Sequence, residues 1–204
     1  MNSEIMQEVL NQDYANIHQN IVAFLKNQVS QKKANGVVFG LSGCIDSATI
    51  AYLCSKVFKK NALALVMPDS AVSPSSDTGD ALKIIGEIEI DYKLIDINTI
   101  HKRYSNYLEP GELALGNLRA RIRSNIIYYY ANLKNLLVLG TSDKSEYLIG
   151  YFTKFGDGSA DMLPIVSLYK TQLREFAKTI GVPNNIIAKK SSPNLWKGHD
   201  AEEE

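Results

Sequence analysis

The sequence predicts a doubly wound, Rossmann-like α/β fold, a parallel sheet flanked by helices, on three observations. Short apolar runs of strand length alternate with segments of helical period. The runs carry little polar alternation, as strands buried on both faces do. Two glycine-rich turns directly follow runs of this kind, at Leu41 and at Leu139, where open parallel sheets bind ligands.

The elements follow in order. Residues from about Ile5 to Lys32 place Ile17, Ile21, Phe24 and Leu25 at helical spacing, and Asn35-Gly36 is the expected stop. Val37-Val38-Phe39-Gly40-Leu41 reads as the first strand, a Gly/Ser turn follows, and a helical pattern runs through Phe58. Ala62–Met67 is the second strand, Pro68–Asp77 a polar loop, Ala81–Ile88 a helix and Tyr92–Ile95 the third strand. Gly116–Leu133 is a long helix carrying Arg119, Arg121 and Arg123, and Leu136–Gly140 is the fourth strand. Residues 150–161, rich in glycine and aspartate, are loop. Thr171–Ile180 is the last clear helix, ended by Gly181 and Pro183. The polar tail from Ser191 to Glu204 has no helix to dock it and is expected to be mobile or truncated.

The chain has 204 residues, 45% of them hydrophobic and 22% charged, enough for one domain with a full core and too few for two large ones. A net charge of +0 argues against a dedicated nucleic-acid binder. No apolar run approaches the ~18 residues of a membrane span, and the mixed, acidic N-terminus does not resemble a signal peptide. Cys44 and Cys54 have no metal-type spacing and read as reduced thiols. A cytoplasmic protein is therefore the expectation. His18, His101 and His199 share no spacing and receive no role.

The turn Gly40-Leu41-Ser42-Gly43-Cys44-Ile45-Asp46-Ser47 carries the first chemistry. Its small residues let backbone N–H groups approach an anion, and the helix that follows points its positive end at the same place. It is not a Walker loop, which ends Gly-Lys-Ser/Thr, and its glycines are wrongly spaced for a dinucleotide fingerprint. It resembles the Ser-Gly-Gly-x-Asp-Ser loop of the N-type ATP pyrophosphatases. Asp46 beside phosphates would repel them unless Mg²⁺ lies between, which calls for a second carboxylate. Glu146, after the fourth strand, is the candidate.

Gly140-Thr-Ser-Asp-Lys-Ser-Glu146, Gly150-Tyr-Phe-Thr-Lys154-Phe-Gly-Asp157-Gly-Ser-Ala-Asp161, Pro164, Lys170 and the helix Gly116-Asn-Leu-Arg-Ala-Arg121-Ile-Arg123 resemble the ammonia-dependent NAD synthetases over about residues 20–200. The resemblance implies a single synthetase domain over 1–204, a ligase that amidates deamido-NAD with ammonia at the expense of ATP, through an adenylated intermediate, giving NAD, AMP and pyrophosphate. It implies that residues 40–47 hold the ATP phosphates, that Thr141, Lys170 and Ser192 contact ATP, and that Asp46 and Glu146 ligate Mg²⁺. It further implies that Arg121, Lys154 and Asp161 contact deamido-NAD, that Asp157 and Lys170 serve the reacting groups, and that the protein is a homodimer with its substrate site at the subunit interface. Glutamine-dependent relatives carry a separate amidase domain, for which 204 residues leave no room, so free ammonia is the expected nitrogen source.

The same residues also have purely structural readings. Arg119, Arg121 and Arg123 would form a solvated helix face, although helical spacing does not put all three on one side. Lys170 opens a helix, where a cation is disfavoured by the dipole, which favours a phosphate partner. Asp157 and Asp161 would be turn residues, and Tyr128-Tyr129-Tyr130 helix packing or a dimer face. Three departures from the family pattern stand out. Cys44 replaces a glycine and would cost about 1 kcal/mol or more if φ is positive there. Asn194 replaces an aspartate, and the chain stops at Glu204, before the family's C-terminal helical segment. A GMP synthetase or tRNA-modifying type of pyrophosphatase is the alternative enzyme; a nucleotide-binding relative with impaired catalysis is the alternative of another class.

Overall fold

A computed structural model describes residue 7, residues 9–190 and 192–196, and residue 198. The end of the polar tail, residues 199–204, lies outside these, as does His199. Four parallel strands form one sheet in the order β3-β2-β1-β4: β1 is Gly36–Gly40, β2 Ala62–Val66, β3 Asp91–Leu94 and β4 Leu136–Leu139. The chain winds outward from β1 to β3 and then returns to place β4 on the other side of β1. The switch point of this doubly wound sheet therefore lies between β1 and β4, the place where such sheets open a crevice at their carboxyl ends.

The strand residues alternate between two cores, as a period of two requires. Val37, Phe39, Ala62, Ala64 and Val66 face one core, which Leu25 of helix α1 (Tyr14–Gln31), Leu53 of α2 (Ile45–Phe58), Ile84 of α3 (Ser75–Ile88) and Phe176 join. Val38, Leu63, Leu65 and Val138 face the other, covered chiefly by Ile122 and Ala131. Helix α4 spans Asn98–Ser105, α5 Glu112–Lys134, α6 Lys144–Ile149, α7 Lys170–Ile180 and α8 Asn184–Ile187. The edge strand β3 is exposed along its length and carries Asp91 and Lys93, charges that discourage pairing with another sheet.

The structure differs from the sequence reading at several points. The first long helix is broken at Asn11–Asp13, because Asp13 accepts the Asn16 N–H at 3.0 Å and restarts the helix as α1. The polar loop after β2 is shorter than expected, since α3 begins at Ser75 behind Pro74. Helix α4 went unread, its eight residues NTIHKRYS carrying a single aliphatic side chain. Helix α6 also went unread: it is only six residues long and is held by a capping box between Asp143 and Glu146. Among the described residues no helix is long and apolar enough to cross a membrane.

Candidate active site

A cavity of about 520 Å³ opens at the β1/β4 switch point. Gly40, Leu41, Ser42, Cys44, Asp46 and Ser47 line one side of it, Gly140, Thr141 and Glu146 the other, and Asp157 and Ser192 complete the wall. Residues spread over 150 positions of sequence are thus brought together because two loops leave adjacent strands at the same end of the sheet.

The β1–α2 loop is wired internally. Ser47 Oγ donates to the Cys44 carbonyl at 3.1 Å and accepts the Ser42 N–H at 3.1 Å. Its one proton being used, Ser42 donates in the 3.0 Å contact between the two hydroxyls. Cys44, the N-cap of α2, caps no amide with its side chain, and a helix start of this kind accepts anionic oxygens. The expected strain at Cys44 is not there. Gly43 takes the positive φ of +86°, whereas Cys44 sits in extended backbone at φ −96° that any residue adopts. Burial raises the Cys44 thiol pKa, the negative Asp77 adding to it, so the sulfur is a neutral group at the loop.

Lys170 explains its place at a helix start. Its Nζ donates to Asp46 Oδ1 at 2.7 Å and Glu146 Oε1 at 2.9 Å, and faces Asp143 Oδ2 at 3.2 Å. Three carboxylates outweigh the unfavourable helix dipole. The sequence reading took Asp46 and Glu146 and missed Asp143, which is fully buried and whose Oδ2 makes no hydrogen bond. Oxygen atoms of Asp46, Asp143 and Glu146 lie within 4.8 Å of one another. An all-carboxylate donor set this compact fits a hard cation such as Mg²⁺. The missed signal was the polar pair Ser142-Asp143, which only Gly140 and Thr141 separate from the end of β4.

The arginines of α5 divide as helical spacing requires. Arg119 and Arg123, four apart, face inward; Arg121 is exposed. Arg123 lines the cavity and donates from Nε to the Met67 carbonyl at 2.9 Å. Burial lowers its pKa to about 10, with Asp69 opposing that shift, and it stays cationic at neutral pH. Arg119 makes a 2.6 Å charge-assisted bond to the fully buried Asp69. The idea of a solvated arginine face therefore fails for two of the three, and the two inward arginines are the ones sequence reasoning passed over.

Arg121, Lys154 and Asp161 stand apart from the cavity lining. Arg121 Nε donates to the Lys154 carbonyl at 3.2 Å, and both side chains are exposed. Asp161 accepts the Val138 N–H at 2.7 Å and so satisfies the open edge of β4. In the loop between them, Thr153 donates its N–H to Asp157 Oδ1 at 2.9 Å and its hydroxyl to Asn117 Oδ1 at 2.6 Å. Asp157 is exposed as a residue, but the loop packed around its carboxyl desolvates that group enough to raise its pKa, the Thr153 hydrogen bond acting against that. Phe155 holds φ +60° in this loop, a conformation that costs a bulky side chain of order 1–3 kcal/mol.

Comparison with known proteins gives a consistent result. Residues 17–204 match the family described as NAD synthase. The NH(3)-dependent NAD(+) synthetase of Hyperthermus butylicus is 48% identical over 202 residues, which cover 98% of this chain and 73% of that protein. That of Aeropyrum pernix is 45% identical over 206 residues, covering 98% and 72%. Among solved structures, the NH3-dependent NAD synthetase from Campylobacter jejuni superposes with a TM-score of 0.83 at 39% identity, over 86% of this chain and 77% of that one. The NMN synthetase from Francisella tularensis gives 0.87 at 36% identity, over 95% and 81%.

Proposed function

The chain belongs to the NAD synthase family, and on that premise we propose that the switch-point cavity carries out the ammonia-dependent amidation of deamido-NAD with ATP. The observation that carries the reading is the convergence on one cavity of the Gly40–Ser47 loop, Glu146, Asp157 and Ser192. The alternative of another pyrophosphatase type has no comparable support.

A carboxylate does not form an amide with ammonia directly, because hydroxide is a poor leaving group. The nicotinate carboxylate of deamido-NAD attacks the α-phosphorus of ATP and expels pyrophosphate. Ammonia then attacks the acyl carbon of the adenylate and expels AMP. The Gly40–Ser47 loop and the start of α2 hold the phosphates; Thr141 and Ser192 contact ATP. Asp46 and Glu146, with Asp143 beside them, would hold Mg²⁺, which when bound neutralises phosphate charge. Lys170, within reach of the same carboxylates, supplies a further positive charge to the phosphates. Arg121, Lys154 and Asp161 bind deamido-NAD. Their exposure outside the cavity suits a substrate site completed by a second copy, and a homodimer is part of the proposal. A cytoplasmic setting suits the two buried free thiols.

Asp157 takes the proton that the attacking nitrogen loses. Replacing Asp157 by asparagine is expected to lower kcat by about 10²–10⁴-fold while ATP still binds. Because its pKa is raised, the base form is lost on acidification at a higher pH than for an ordinary carboxylate near ~4. The acid limb of the kcat profile should therefore lie above that value in the parent and vanish in Asp157→Asn. An Asp157→Asn protein with the parent's rate and profile removes the role.

The overall reading is tested by mixing the protein with Mg-ATP, ammonium and deamido-NAD and following pyrophosphate and NAD. Pyrophosphate release that depends strictly on deamido-NAD supports it. Release that depends instead on the corresponding mononucleotide, or occurs with neither, overturns the choice of acceptor.

A further inference from the structure

The segment Ser192–Trp196 lines the cavity, and it is tied down at three places by groups outside the reaction. Arg119 Nη1 donates to the Leu195 carbonyl at 2.9 Å while its Nε is fixed on Asp69 at 2.6 Å. Asn194 Nδ2 donates to Asp77 Oδ2 at 2.9 Å, and Asn194 adopts φ +46°, which asparagine tolerates better than most residues. The ring of Trp196 lies so close to Gly116 that a Cβ there would stand 2.9 Å from it. Asp77 is also a seat of the phosphate loop, since its carbonyl would lie 2.3 Å from a Cβ on Gly43. The strap and the loop therefore share one anchor on the first turn of α3.

We propose that Arg119 is a positioning residue for ATP: braced by buried Asp69, it works with the Asp77–Asn194 bond to fix Ser192–Trp196 as one wall of the nucleotide cavity. The proposal rests on the reading of this cavity as the ATP site. The fork of a guanidinium is what the job requires, because one side chain must grip a carboxylate and a carbonyl at once. Asn194 is equally specific. An aspartate at that position carries no N–H to give Asp77, whose other oxygen Lys189 holds at 2.6 Å.

Trp196 is the single tryptophan of the chain and reports on the strap directly. ATP with Mg²⁺ is titrated into the full chain by calorimetry and by tryptophan emission, and steady-state constants are measured for Arg119→Lys, Asn194→Ala and Asn194→Asp. The expected results are a change in Trp196 emission on ATP binding, and a KM for ATP raised about tenfold in Arg119→Lys with a smaller change in kcat. Asn194→Ala and Asn194→Asp should both raise KM for ATP, since neither side chain donates to Asp77. Asn194→Ala leaves the Arg119–Asp69 pair in place, so the comparison survives if Arg119→Lys does not fold. ATP binding with unmoved Trp196 emission, or an unchanged KM in Arg119→Lys or Asn194→Ala, overturns the proposal alone. Absence of any ATP binding to the parent overturns the cavity reading and the proposal with it.

Discussion

Replacing Lys170 by methionine is expected to cost about 3–5 kcal/mol of stability in metal-free buffer at neutral pH and to lower kcat by about 10²–10³-fold. The cost follows from what the ammonium does now. It stands among Asp46, Asp143 and Glu146 at 2.7, 3.2 and 2.9 Å. Asp143 is fully buried and Asp46 nearly so, so removing the cation leaves charges that water does not reach. Methionine keeps the length of the side chain, which separates loss of charge from loss of packing. Added Mg²⁺ should return much of the lost stability, because the oxygens of the three carboxylates are close enough for one ion to span. The parent should gain less from Mg²⁺, since Lys170 already compensates the cluster. Thermal melts of both proteins with and without Mg²⁺ decide the matter. Equal shifts in the two would mean that the lysine and the metal do not share these carboxylates.

The same cluster shows why part of the site was legible in sequence and part was not. Asp46 and Glu146 follow buried strands within seven residues, so strand, turn and carboxylate could be read as one local unit. Asp143 sits in such a unit too, but as the N-cap of a six-residue helix it looks like ordinary capping. Arg119 and Arg123 were visible as arginines, yet their partners Asp69, Leu195 and Met67 lie 50 or more positions away. No local pattern names such partners. Asn194 is the clearest case. From the sequence it is a lost charge; in the structure it shares Asp77 with Lys189, donating to one oxygen while the ammonium holds the other. The fold was legible for a simpler reason: buried parallel strands and the helices between them are written in local hydrophobic period, and only short polar elements such as α4 escape it.

Exchanging the roles of Gly43 and Cys44 tests the phosphate loop itself. Gly43→Ala is expected to cost about 2–5 kcal/mol, from left-handed backbone and overpacking together, and to abolish measurable ATP binding. Gly43 has φ +86°, and a Cβ there would stand 2.3 Å from the Asp77 carbonyl oxygen, a backbone atom that cannot turn aside. Relief of that clash moves either the loop or the start of α3, and the second also displaces the anchor of Asn194. Cys44→Gly is expected to do the opposite of rescue. At φ −96° and ψ 163° a Cβ meets no conformational penalty, so glycine there only enlarges the freedom of the unfolded chain, at about 0.5–1 kcal/mol. The backbone N–H of residue 44 and its 3.3 Å bond to Ser42 Oγ remain in both proteins. A several-fold rise in kcat for Cys44→Gly would show that the sulfur obstructs the phosphates. An unchanged kcat in Cys44→Gly beside lost ATP binding in Gly43→Ala would place the need for glycine at position 43 and make Cys44 a tolerated replacement.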